Sequence, residues 1–283
     1  MGGLRARRGS QGGVSGAIAR IPYYQVDSFA DRPFSGNPAG VCVLDAWLPE
    51  ATMQAIAAET ALSATAFLVR EGDGYALRWF TPRVEEAMCG HGTLGAAWAV
   101  LQELEPGRDA VTFSTGAGPL TVTRDGGRFV LDLPARAIAP CAAPEGLAAA
   151  IGEQPKEVLR GASYIAVLGD AATVADLKPD FARIAALDLP GVIVTAPGAG
   201  YDCDIVSRYF APAKGIPEDP VTGSLHAQVV PFWSERLGRK KLVARQLSKR
   251  GGTLHCEHRG ERVLLGANAM LFLSGAIEVP EPV

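Results

Sequence analysis

Two short glycine-containing stretches of the chain carry side chains that could move protons. The first, 88–95 (MCGHGTLG), places the thiol of Cys89 two residues before the imidazole of His91. The second, 219–224 (DPVTGS), combines the carboxylate of Asp219 with the hydroxyl of Ser224. An imidazole titrates near neutral pH, and burial can shift a carboxylate towards it. A thiol at a helix N-terminus can have a lowered pKa. These residue types therefore suit acid–base chemistry.

An apolar run follows each stretch and predicts a helix, over 91–104 and over 221–237. Pro231 is expected to kink the second helix or end its regular part. The first N–H groups of a helix lack intrahelical partners, the dipole is positive there, and glycines let a ligand approach. Two such helix starts facing each other would bind a carboxylate or stabilise a forming enolate. The expected binding residues are Gly90, Gly92, Thr222, Gly223 and Ser224.

The surroundings of the two stretches repeat each other. Residues 78–82 read RWFTP and residues 208–212 read RYFAP, and six residues separate the first segment from Cys89 and the second from Asp219. A strand, a turn and a helix start therefore occur twice, which predicts a duplicated architecture with one functional loop in each half. Chance recurrence is the alternative.

Each of the four polar side chains also has a purely structural interpretation. Cys89 could be a small buried residue before a helix, and His91 could be a satisfied capping group. Asp219 is a favoured N-cap type, and Ser224 could be an ordinary first-turn serine. Their joint occurrence on matching loops favours the functional interpretation.

The composition excludes several classes of protein. The chain has 283 residues, 48% of them hydrophobic, and a net charge of −3, which weighs against nucleic-acid binding. The basic stretch 236–250 is interpreted as a solvated helix end and turn, with an anionic partner as the alternative. Five cysteines without a CxxC pair fit a reducing cytoplasm. A membrane span is not expected, because no apolar run is long enough.

Cofactor and metal motifs give no positive signal. Neither a dinucleotide-binding glycine motif after a strand nor a P-loop is present, so nucleotide cofactors are not indicated. His255 and Cys256 should face opposite sides of a strand, which argues against a metal site in 255–258. Residues 1–20 are interpreted as a flexible extension, and 134–144 as a linker.

Four ordered motifs resemble the PhzF-type isomerases and epimerases, relatives of diaminopimelate epimerase and proline racemase. They read YYQVDSFADRPFSGNPAGV, MQAIAAETALSATAFL, RWFTPRVEEAMCGHGTLGAA and RYFAPAKGIPEDPVTGSLHA, and the similarity covers nearly the whole chain after residue 20. The resemblance implies an α/β (α+β) fold of two pseudo-symmetric halves, each with a curved sheet wrapped round a central helix. It assigns 21–133 and a C-terminal strand at about 272–283 to the first half, and 134–271 to the second.

The resemblance further implies a homodimer and cofactor-free acid–base chemistry on a small, amino-acid-like carboxylate. In the family pattern Leu-Ser-Glu-Thr-Ala-Phe, a glutamate moves the proton; this chain has Ala64 at that place. His91, Asp219 and Ser224 match the other polar members, and the Gly223 backbone lies beside the substrate carboxylate.

Three hypotheses account for Ala64, because alanine cannot carry a proton. Ala64 is an engineered change that disarms the enzyme, or the protein is a natural variant that uses another base. Cys89 is the candidate base, since MCGHGT resembles the base-bearing loop of proline racemases. In the third hypothesis the protein binds a small carboxylate without catalysis.

Overall fold

The computed structural model describes residues 18–280. Strands β1 to β8 of the first half span Ile18–Ser28, Asn37–Leu44, Ala64–Glu71, Gly74–Phe80, Glu85–Glu86, Ala110–Ser114, Leu120–Asp125 and Arg128–Pro134. Helices α1 and α2 span Glu50–Thr60 and Gly90–Trp98, and a π-helical segment, Ala99–Leu104, continues α2.

The second half contains strands β9 to β16 and four helices. The strands span Ala139–Pro140, Glu157–Arg160, Tyr164–Val167, Val192–Pro197, Ile205–Phe210, Lys241–Gln246, Gly252–Arg259 and Arg262–Ala267. Helices α3 to α6 span Leu147–Ile151, Ala171–Asp176, Phe181–Ala185 and Gly223–Leu237, with a 3₁₀ turn at Pro212–Lys214. The last strand, β17, spans Ala269–Pro280.

The two halves repeat the same order of strand directions. From β1 to β2, β3, β4, β6, β7 and β8, successive pairs are antiparallel, parallel, antiparallel, parallel, antiparallel and antiparallel. The series from β10 to β16 has the same directions in the same order. In this correspondence β4, which carries RWF, matches β13, which carries RYF. The predicted duplication is therefore confirmed at the level of topology.

Pairing also connects the halves. β8 runs antiparallel to β16, so the strands of both halves form one continuous hydrogen-bonded sheet. β17 returns to the first half and runs antiparallel to β1. The prediction of a mixed α and β fold with two pseudo-symmetric halves is confirmed.

A central helix packs against the sheet of each half. α2 contacts β1, β2, β3 and β8, whereas α6 contacts β14, β15 and β16. Every residue of α2 is buried except His91, which is half-buried. Gly95 faces this sheet, since a Cβ there would make ordinary contacts with Ala39 at 3.4 Å and Val41 at 3.5 Å. His91 is therefore the one residue of α2 that is appreciably accessible from outside the protein.

Both predicted central helices differ in detail from expectation. The α-helical part of the first ends at Trp98, and the turn after it is π-helical, with the N–H of Glu105 donating to the carbonyl of Val100 at 2.7 Å. The second begins at Gly223 and continues through Pro231 to Leu237. Pro231 therefore does not end it.

The predicted linker explains how α6 tolerates its proline. A proline has no N–H, so the carbonyl four residues earlier loses its helical partner. That carbonyl belongs to Ala227, and it accepts a 3.0 Å hydrogen bond from the N–H of Arg136 instead. The segment 134–144 is thus held to the second half, and its β9 pairs with β10.

Of the extension predicted over residues 1–20, the structure describes only residues 18–20. Residues 18–20 belong to β1 rather than to an extension, and the rest of the predicted extension, 1–17, lies outside the described residues. Within 18–280, no helix combines the length and apolar character needed to cross a membrane.

Candidate active site

The predicted site residues meet around one cavity of about 100 Å³ between the two halves. Eight of the nine line it: Ala64, Cys89, Gly90, His91, Asp219, Thr222, Gly223 and Ser224. Gly92 does not. Topology explains the convergence, because the loops after the matching strands β4 and β13 each lead into a central helix, and the two helix starts meet.

The contact between the two helix starts is a contact between glycine backbones. A Cβ built on Gly90 would lie 3.5 Å from the Cα of Gly223 and 3.9 Å from its nitrogen. The first turns of α2 and α6 therefore bring their positive dipole ends together at the cavity. Thr222, the N-cap of α6, makes no side-chain capping hydrogen bond, so its side chain does not occupy the first-turn donors of α6.

Cys89 is the N-cap of α2, but its thiol does not have the lowered pKa that was expected at a helix N-terminus. Its Sγ accepts a 3.4 Å hydrogen bond from the N–H of Gly92 and lies 3.5 Å from Nδ1 of His91. Burial nevertheless raises the pKa of the thiol to about 12, which outweighs the lowering by Gly92. The nearby carboxylates of Asp219 and Glu86 raise it further. The thiol is therefore protonated at neutral pH.

His91 is a neutral imidazole at physiological pH. Burial lowers its pKa to about 4, because desolvation disfavours the imidazolium. The hydroxyl of Ser28 donates to its backbone carbonyl at 2.7 Å, which fixes the helix start to β1. A neutral ring has one donor and one acceptor nitrogen, so it can donate one hydrogen bond and accept another.

Asp219 is held by donors from both halves. Its Oδ1 accepts a 2.8 Å hydrogen bond from the amide of Asn37, and its Oδ2 accepts the hydroxyl of Thr222. Burial raises the pKa of the carboxyl to about 6, while these two hydrogen bonds act in the opposite direction. Asp219 is not the helix cap, since Thr222 occupies that position. Its carboxyl is thus poised to titrate close to neutral pH.

Two predicted anion-binding donors are already occupied. The N–H of Gly92 donates to Cys89, and a Cβ on Gly92 would lie 2.7 Å from Cδ1 of Trp79, so Gly92 faces the core. The N–H of Thr222 donates to Oε1 of Gln246 at 2.8 Å, and its hydroxyl serves Asp219. Thr222 therefore supports the site through the carboxyl, and Gly92 is corrected from a ligand contact to a packing position.

Ala64 places a methyl group in the cavity wall. It begins β3, is 1% exposed and pairs in register with Ala39 of β2. No carboxylate extends from this position, so any proton transfer must use other groups of the cavity.

Several functional neighbours could not be identified from the sequence reasoning. Asn37 orients Asp219 from β2, and it also donates to the carbonyl of Val221 at 2.8 Å. Gln246 of β14 donates to the Asp219 carbonyl at 2.7 Å. Glu86 and Lys214 line the cavity. The only signal for Asn37 was its position within the first family-like motif.

No metal site accompanies these residues in the described chain. Among residues 18–280, no group of three or more His, Cys, Asp or Glu side chains is arranged to hold a metal ion. His226 is fully buried, with Nδ1 placed 2.7 Å from the carbonyl of Thr222, and does not line the cavity.

Known proteins share this sequence and fold. The family model described as phenazine biosynthesis-like protein matches residues 26–275. An uncharacterised isomerase of Pseudomonas aeruginosa is 48% identical over 260 residues, covering 92% of this chain and 99% of its own length. The chain belongs to the PhzF family.

Solved structures of the PhzF family agree with the topology. A crystal structure of a PhzF-family protein from Enterococcus faecalis has a TM-score of 0.88 and 45% identity, covering 92% of this chain and 99% of its own. A hydroxyproline epimerase from Agrobacterium vitis has a TM-score of 0.58 at 11% identity and covers 92% of each chain. The second likeness shows the fold alone.

Proposed function

We propose that this protein is a cofactor-independent isomerase or epimerase that moves a proton on a small carboxylate. The observation that carries the proposal is the contact of Gly90 with Gly223, which joins two helix starts beside His91 and Asp219. Relatives named as isomerases support the reaction class. The amino-acid-like character of the substrate follows from the family resemblance.

The backbone would hold the substrate carboxylate. The first-turn N–H groups of Gly223 and Ser224 lack a side-chain cap, and Gly90 contributes the start of the facing helix. Proton removal next to a carboxylate places negative charge on its oxygens. Fixed N–H donors and converging dipoles stabilise that charge more than they stabilise the ground state, which lowers the barrier.

Asp219 is the proposed proton carrier, and His91 is the proposed hydrogen-bond donor beside it. A carboxyl with a pKa of about 6 is largely ionised at pH 7 yet basic enough to accept a proton. The neutral imidazole of His91 can donate a hydrogen bond from its ring N–H to the negative charge that forms on the substrate, and Asp219, once protonated, returns the proton to carbon. Cys89, with its pKa of about 12, is assigned to position His91 and cap α2 rather than to act as the base.

A second candidate function is carboxylate binding without turnover, and Ala64 is the observation that favours it. The cavity has a methyl group where the family pattern has the glutamate. An engineered loss of that glutamate would have the same consequence. Either case predicts saturable ligand binding and no exchange of carbon-bound protons.

Two further properties remain predictions. Cytoplasmic residence is supported by five cysteines that are all free. Assembly as a homodimer rests on the family resemblance, and sedimentation velocity would test it.

Proton NMR in D₂O tests the proposed function. The protein is incubated with amino acids and cyclic unsaturated carboxylates, in parallel with Asp219→Asn, Ala64→Glu and the uncharged control Ala64→Gln. Deuterium entering carbon in the original protein, but not in Asp219→Asn, is the expected result. Exchange only in Ala64→Glu would contradict the proposal and identify a PhzF-type site that lacks its acid. Binding without exchange in any variant would favour the second candidate.

A further inference from the structure

A second cavity, of about 190 Å³, opens beside the first. Six residues line both cavities, so the two spaces share a wall: Glu86, Met88, Tyr209, Lys214, Thr222 and Ser224. The residues found only in the second cavity include Arg136, Ser163 and Gln228. We call it the side cavity. A substrate held by its carboxylate at Ser224 can therefore extend its tail into this space.

The position of Arg136 follows from the proline in α6. Because Pro231 has no N–H, the carbonyl of Ala227 is free to accept the backbone N–H of Arg136 at 3.0 Å. This bond anchors a segment that otherwise leaves the sheet after β8. The second anchor is the N–H of Ala135, which donates to the carbonyl of Glu261 at 2.8 Å. The backbone of Arg136 is thus fixed in the wall of the side cavity.

The inner wall of the side cavity carries polar side chains that are hydrogen-bonded to the protein. The hydroxyls of Ser163 and Tyr209 lie 3.1 Å apart, and both side chains are buried. Gln228 is also buried, and its amide accepts from the N–H of Ala162 at 3.1 Å and donates to the carbonyl of Ser224 at 3.2 Å. Ser224 and Gln228 are one helical turn apart, so the polar wall begins about 5 Å from the helix start.

The charges of the side cavity favour an anion beside Arg136. Glu86 and Lys214 lie in the shared wall and have opposite signs, whereas Arg136 belongs to the side cavity alone. Within the described chain, neither Arg136 nor Lys214 forms an ion pair, although twelve other ion pairs occur there. Two cations without protein partners face one carboxylate, which leaves a net positive charge. An exposed guanidinium whose backbone is anchored can bind a carboxylate through two parallel N–H···O hydrogen bonds.

We propose that the side cavity binds a second carboxylate on the substrate tail, so that the preferred substrates are small dicarboxylates. The first carboxylate is held at the α2 and α6 starts, and Arg136 binds the second. This assignment rests on the proposed function for the placement of the first carboxylate.

Calorimetric titration with matched ligands tests the assignment without requiring turnover. Each dicarboxylate from succinate to adipate is compared with its own monoamide, which has the same length and lacks the second charge. The expected result is about tenfold tighter binding of at least one dicarboxylate than of its monoamide, the size typical of one charge-assisted contact. In Arg136→Met this ratio falls to about one, and Arg136→Lys retains part of it. Arg183→Met, an exposed arginine outside both cavities, serves as the matched control and keeps the full ratio.

The outcomes separate this inference from the proposed function. Equal binding of dicarboxylate and monoamide, binding of neither, or a preference that survives Arg136→Met would each overturn the side-cavity assignment. Deuterium exchange on a monocarboxylate would in those cases still support the isomerase. Conversely, a dicarboxylate preference that depends on Arg136, together with no exchange on any ligand, would support the side cavity and reject only the catalytic proposal.

Discussion

The side-chain amide of Asn37, on β2 of the first half, donates a 2.8 Å hydrogen bond to Oδ1 of Asp219 in the second half. This bond ties the candidate proton carrier to the opposite side of the cavity and lowers its pKa against the effect of burial. The electrostatics of Asp219 therefore depend on how the two halves are docked.

Removal of this amide should raise the pKa of Asp219. In Asn37→Ala the carboxylate loses one charge-assisted donor, and we expect its titration midpoint to rise by about one pH unit from about 6. NMR of carboxyl-labelled aspartate measures the midpoint. Ser248→Ala is the control, because Ser248 donates to the neighbouring Pro220 carbonyl at 2.7 Å without touching the carboxyl. An unchanged midpoint in Asn37→Ala would show that the hydrogen bond has no electrostatic effect.

The raised pKa of Asp219 should make the free energy of unfolding depend on pH. A carboxyl whose folded pKa is about 6 rather than 3.8 contributes stability below about pH 4 and loses it as pH rises through 6. The Asp219→Asn variant has no carboxyl at this position, so it does not lose stability in this way as the pH rises. From pH 4 to pH 7.5, its free energy of unfolding should therefore rise relative to that of the unmodified protein, by at most about 3 kcal/mol.

Urea unfolding at several pH values measures this difference. The half-buried His91 and the buried His226, whose pKa values are lowered to about 4, have the opposite pH dependence. They are present in both proteins and cancel in the comparison. A difference that does not vary with pH would mean that Asp219 titrates normally in the folded state.

Cys89 should prove dispensable for proton exchange. Its thiol is protonated at pH 8, since its pKa is about 12, so modification by a disulfide reagent should be much slower than that of the half-buried Cys141. Cys89→Ser preserves a capping oxygen, whereas Cys89→Ala should cost about 1 kcal/mol of stability through loss of the cap. We expect exchange to persist in both variants. Its abolition in Cys89→Ser would identify the thiol as the base and refute the roles given to Asp219 and His91.

Two glycines of the first turn of α2 form a matched pair for a packing test. A Cβ on Gly92 would lie 2.7 Å from Cδ1 of the buried Trp79, whereas one on Gly90 would make an ordinary 3.5 Å contact with Gly223. Gly92→Ala should therefore lower the free energy of unfolding by about 1–3 kcal/mol, and Gly90→Ala should change it little. Denaturant unfolding of both variants decides the point. Equal stability would show that Trp79 can move away at no cost.

The duplicated architecture could be predicted because it leaves a local record in the sequence. The segments RWFTP and RYFAP mark the matching strands β4 and β13, and glycines mark the helix starts. Local order, spacing and residue type were sufficient to identify both loops and, with Ala64 from the family resemblance, eight of the sixteen residues that line the cavity.

The remaining features depend on contacts between residues that are distant in sequence. Asn37 and Gln246 reach Asp219 only after the sheet has formed. The thiol of Cys89 has the helix position that usually lowers a pKa, but tertiary burial reverses the effect. Pro231 remains inside a helix because a residue of the preceding segment, Arg136, satisfies the carbonyl that the proline leaves open. No local pattern contains these facts.

The pairing of β17 with β1 has a consequence for biosynthesis. β1 has β2 on one side and β17 on the other, so one edge of β1 stays unpaired until β17 has been translated. Until then the nascent chain presents unpaired backbone groups, which can template aggregation. Ribosomes that stop early would release chains with this edge open. Synthesis of β17 is thereby coupled to closure of the first half, and chaperones should bind chains truncated before β17 in preference to chains that contain it.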